Sequence, residues 1–144
     1  MTLITRNHPK LTLAGARAVL EAAERRAEEI RVPLVLAVVD DGGHLFVFER
    51  MDGAKPSSIA IAIVKAQAAA LRRAPTGPVM TSDQPNLSVS FGLAIANHLQ
   101  QTPLRGGVPL VVDGQVVGAI GASAGTEDQD LDAARAGAAA LERV

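Results

Sequence analysis

The chain has 144 residues, with 14 Lys and Arg against 15 Asp and Glu, for a net charge of −1. It therefore lacks the basic excess or stripe of a nucleic-acid binder. Hydrophobic residues make up 48% but aromatic residues only 2%, so Ala, Val, Leu and Ile must fill the core and little is left for an aromatic cage or base-stacking platform. Cysteine is absent, which excludes disulfides, thiolate nucleophiles and Cys-based metal sites.

At this length one domain, 1–144, with a real core is expected. Residues 1–11 are charged, contain Pro9 and read as an N-terminal arm rather than a signal peptide. No apolar stretch approaches membrane-spanning length, so the expected location is cytoplasmic, with neither membrane nor nucleic acid as partner.

Thr12 is placed to cap a helix running to about Ile30, with Ala16, Leu20, Ala23, Ala27 and Ile30 on its apolar stripe. The run Leu34–Val39, the turn residues Asp40-Asp41-Gly42-Gly43 and then Leu45–Phe48 predict a β-hairpin over 34–49. A helix over about 58–73 follows, apolar on nearly every face and therefore expected to be buried on several sides. Residues 74–84, broken by Pro75, Gly77 and Pro78, read as a loop. Pro85 suits the first turn of a helix to Gln100, with Leu87, Phe91, Ile95 and Leu99 on one stripe. Asp113-Gly114 centres a second hairpin over 108–120. Thr126-Glu127-Asp128-Gln129 is a capping box opening a helix to about Glu142, with Leu131, Ala134, Ala138 and Leu141 as its stripe. Two hairpins separated by helices define an α+β sandwich with a mostly antiparallel sheet.

Among the candidate functional residues Lys65 stands out, because an ammonium in an apolar helix must snorkel, pair with a carboxylate or meet a ligand anion. Arg50 and Asp52 flank Met51 where the first hairpin ends; the guanidinium suits a carboxylate, and Asp52 suits proton transfer or pairing with Lys65. A turn held by an Arg–Asp contact explains them equally well. His98 is either a general acid–base or a core-edge histidine, while His44 reads as a turn residue and His8 as part of the arm. No histidine pair has the i, i+4 spacing of a helical metal site, so no metal is expected. Gly107 and Pro109 bring backbone near a ligand or shape the start of a strand, and Ser123 lies in a strand-to-helix turn suited to an anion or simply to capping.

Four stretches together resemble the GlcG/HbpS family, which includes the C-terminal domain of PduO-type proteins. They are Ala37-Val38-Val39-Asp40-Asp41-Gly42-Gly43-His44-Leu45, Glu49-Arg50-Met51-Asp52-Gly53-Ala54, the helix segment Ser58 to Ala66, and Gly106-Gly107-Val108-Pro109 through to Gly121. The resemblance spans roughly residues 11–143. It implies a profilin-like sheet with flanking helices, assembly into ring-like or octameric homo-oligomers, and haem binding as in some members. An axial ligand would then come from one of the three histidines, or less readily from Met51 or Met80. Segment 74–105 departs from the family pattern, and its helix bearing Phe91 and His98 reshapes the pocket.

The reading placed first is a homo-oligomeric domain binding a small ligand, with haem as the implied cofactor. The first alternative is a cofactor-independent tautomerase or isomerase, lyase or hydrolase acting on a small oxygenated acid or enol through Lys65, Asp52 and His98, with Arg50 holding the carboxylate. A purely structural assembly subunit is the second.

Overall fold

The structure is a computed structural model and describes residues 1–142; the last two positions of the expected domain lie outside the described residues. Helix α1 (Leu13–Glu29) opens the fold, capped by the Thr12 hydroxyl, which accepts from the Gly15 N–H. Strands β1 (Val35–Asp40) and β2 (Leu45–Arg50) form the first hairpin, in which the Asp40 carboxylate accepts from the Gly42 and His44 N–H groups. Helix α2 (Ser58–Arg72) follows. The second half contains a short ribbon, β3 (Met80–Thr81) and β4 (Gln84–Pro85), then α3 (Leu87–Ala96), strands β5 (Gly107–Val112) and β6 (Gln115–Ser123), and α4 (Glu127–Ala139).

The two hairpins join through β1 and β6 into one antiparallel sheet of order β2-β1-β6-β5. This is the expected α+β sandwich. Helices α1 and α4 pack together over one face of the sheet, and α2 covers the other. That arrangement explains why β1 is apolar from Val35 to Val39 rather than alternating. Leu36 and Val38 face the α1–α4 layer, Val35, Ala37 and Val39 face α2, and all five are fully buried.

Segment 74–105 differs from its sequence reading. Met80 and Thr81 pair with Pro85 and Gln84 inside what reads as a loop. Pro85 therefore lies outside the helix, and Asn86 caps it instead, its Oδ1 accepting from the Val89 N–H at 3.0 Å. The helix also ends early, at Ala96, because His98 and Leu99 take positive φ angles of 53° and 63°. Its inward face is Ser90 and Ala94, whereas Leu87, Phe91 and Ile95 are exposed. The apolar stripe thus points away from the chain.

Candidate functional site: the Lys65–Asp130 hollow

The site originates in how closely α2 lies on the sheet. Gly107 of β5 and Gly121 of β6 are direct cross-strand partners on the face under α2. A Cβ at Gly107 would stand 2.2 Å from the Lys65 carbonyl oxygen, and one at Gly121 would stand 2.1 Å from that of Ala62. Only glycine admits the helix backbone at this distance. Lys65 is consequently driven into the interior, where it is 2% exposed.

The buried ammonium is well held. Lys65 Nζ donates to Asp130 Oδ2 at 2.8 Å and to the Ala122 carbonyl at 2.9 Å. Asp130 is itself buried in the first turns of α4, and its other oxygen accepts from the Gly125 N–H at 2.9 Å. Gly106, at φ +123°, makes room for the pair; a Cβ there would meet the Ala122 oxygen at 2.7 Å and Lys65 Nζ at 3.0 Å. A buried ammonium needs such a partner, because an uncompensated charge in the interior is strongly destabilising.

The pair forms the floor of a hollow of about 250 Å³. Ser58, Ile61 and Lys65 line it from one face of α2, Ser123, Ala124 and Gly125 from the end of β6, and Leu104 from the segment before β5. Ser58 and Ser123 line the hollow and are each only 4% exposed. An ammonium carries three N–H donors, and two of those on Lys65 are occupied. Lys55 and Glu127 stand at the rim, so the charges lining the hollow balance. The α4 end offers less than its sequence suggests: the Thr126 N–H and hydroxyl exchange bonds with Gln129, and Gly125 serves Asp130.

Lys65 and Ser123 are thus brought together, and Gly107 supports Lys65 from beneath. The carboxylate beside Lys65 is Asp130; Asp52 and Met51 line a separate hollow with Glu28 and Arg31. The Met51 thioether accepts from the Leu34 N–H at 3.4 Å. Arg50 is exposed at the end of β2, and Pro109 lies in β5, at the opposite edge of the sheet. Phe91 and His98 are exposed on and just after α3, outside the lining of the hollow. Asp130, Ser58 and Lys55 carry no site assignment in the sequence reading. For Asp130 the signal was present, since it shares the i, i+3, i+4, i+7 face with buried Ala133, Ala134 and Gly137.

A family model described as haem degrading protein HbpS-like matches residues 11–139. Protein GlcG of Escherichia coli K12 is 38% identical over 108 residues, covering 75% of this chain and 77% of that protein. The crystal structure of Klebsiella pneumoniae protein ORFY superposes with a TM-score of 0.84 at 31% identity, covering 99% of both chains. That of a PduOC–haem complex gives 0.80 at 30% identity, covering 92% of this chain and 95% of the other. The chain belongs to the GlcG/HbpS family.

Proposed function

We propose that this domain binds a small organic acid in the Lys65 hollow. The observation that carries this reading is the set of polar groups gathered around a fixed charge in one hollow: the nearly buried Ser58 and Ser123 and the third N–H of Lys65, whose other two are bonded. A carboxylate, carbonyl or hydroxyl oxygen placed there can accept from that ammonium and from the serine hydroxyls. A chemical-shift titration with two- to four-carbon hydroxy- and keto-carboxylates tests it. The amides of Ser58, Ser123 and Gly125 should move, and the Ser58→Ala/Ser123→Ala double variant should weaken the response. Silence of these amides toward every acid overturns the reading.

Haem fits a different place. The Lys65 hollow contains no imidazole or thioether. Beside the arm lies a larger hollow of about 520 Å³, lined by Pro9, Leu11, Val112, Val117 and Leu141, with Lys10 at its side. His8 directly precedes Pro9 of that lining in the chain, and its Nε2 lies 3.4 Å from Asp41. A carboxylate partner of this kind orients an imidazole for ligation. The likeness to PduOC, solved with haem, supports haem as a ligand, and His8 is the residue we propose would hold it. Absorbance titration should give a Soret shift in the parent chain that His8→Ala loses; a shift unchanged in that variant removes His8 from the reading.

Homo-oligomeric assembly belongs to the same proposal and rests on the outward apolar stripe of α3.

A further inference from the structure

The Lys65 hollow does not end in polar groups. An apolar trough of about 170 Å³ adjoins it, lined by Ala60, Ile61, Val64, Thr102 and Leu104. Ile61 and Leu104 line both. The helix period explains the change in character. Ser58, Ile61 and Lys65 occupy one row of α2, and Ala60 and Val64 occupy the neighbouring row, so the surface passes from hydroxyls and an ammonium to hydrocarbon across a single side chain, Ile61.

We infer that the ligand is amphiphilic: a monocarboxylate whose head sits on Lys65, Ser58 and Ser123 and whose unbranched apolar tail lies along Ala60 and Val64 beneath Leu104. The inference rests on the reading of the Lys65 hollow as a ligand site. Two features restrict the class. The lining charges, Lys55 and Lys65 against Glu127 and Asp130, already balance, so each negative charge a ligand brings adds to the carboxylates present and a monoanion is favoured over a dianion. The trough, about 170 Å³, is aliphatic apart from Thr102, so it suits a short hydrocarbon tail. A tail that spans the trough fills it; a shorter one leaves it in contact with water.

The test is a chemical-shift titration of the full chain with acetate, butyrate, hexanoate and octanoate, read at the Ser123 and Gly125 amides, with adipate as the dianionic control. Affinity should rise about four-fold per methylene, the equivalent of ~0.8 kcal/mol, and level off once the trough is full. Val64→Ser should reduce this slope, Ser58→Ala/Ser123→Ala should weaken every acid, and adipate should bind more weakly than hexanoate. If acetate binds but the series is flat, the tail site is wrong while the Lys65 reading stands. If no acid shifts these amides, both fall. Adipate binding as tightly as hexanoate overturns the monoanion assignment. A flat series combined with a change of particle mass in Val64→Ser makes the trough a subunit contact and overturns the inference as well.

Discussion

Lys65 and Asp130 each need the other. The pair is almost fully buried, and each partner takes a further backbone bond, to Ala122 and from Gly125 respectively. Lys65→Met leaves a carboxylate without its counter-charge, and Asp130→Leu leaves an ammonium, so each single variant should lose about 3–5 kcal/mol in denaturant unfolding. The double variant should recover most of that loss, because an apolar pair of similar volume removes both desolvation penalties. A double variant as unstable as the sum of the two singles would contradict the coupling. Glu49 shows the opposite situation. Burial first, and then the charges of Glu24 and Glu28, push its carboxyl above the usual carboxylate range, and its Oε1 is buried without a partner. The native state therefore binds more protons than the unfolded chain between the ordinary and the raised value, and stability falls as pH rises through that window. Glu49→Gln should melt higher than the parent at pH 7, and the two should converge in acid below the ordinary carboxylate range; a constant offset at all pH would assign the gain to packing. Lys65 was legible in the sequence as a charge among apolar neighbours. Its pairing with Asp130 was not, because the two lie 65 positions apart and only packing brings them together.

The elements that position the site divide into those marked by local chemistry and those that are not. Both hairpins were readable from Gly42-Gly43 and Asp113-Gly114, and α4 from its capping box, because turn and cap preferences act within a few residues. What sequence did not reveal was the glycine pad under α2, since a close approach depends on what lies above it. A methyl group at Gly121 meets backbone atoms of Ala62 and Ala66 at 2.1 and 2.5 Å, and neither can rotate away. Gly121→Ala should therefore lose about 3 kcal/mol or more, and it should shift the Lys65 resonances because α2 must lift. Thr126→Ala, which removes the capping box of α4, should lose only about 1 kcal/mol. Measured in parallel by urea unfolding, similar losses for both would refute the pad as the determinant of α2 placement. The sequence reading of α3 was limited for a related reason: its periodicity identifies an apolar stripe but not the direction in which the stripe faces.

That direction matters for the whole molecule. Leu87, Phe91, Ile95 and Leu99 are 55%, 56%, 72% and 66% exposed, and Met80 beside them is 50% exposed. From Gln84 to Leu104 there is no Asp, Glu, Lys or Arg. A helix that is apolar on most sides is normally buried, yet this one shows its chain only Ser90 and Ala94. With Val89 and Leu93 added, the stripe amounts to roughly 600 Å² of apolar surface, at the upper edge of what monomers expose and near the ~800 Å² per partner of a stable interface. The second copy proposed above suits this surface, because an uncharged stripe can meet its own symmetry mate without like-charge repulsion. Placing two carboxylates in the stripe, as Phe91→Glu with Ile95→Glu, should dissociate the proposed assembly into monomers in sedimentation velocity and leave the circular-dichroism spectrum in place, since both side chains are mostly exposed on their own chain. A parent chain that sediments as a monomer at tens of micromolar, or a double variant of unchanged mass, would require the stripe to serve another partner.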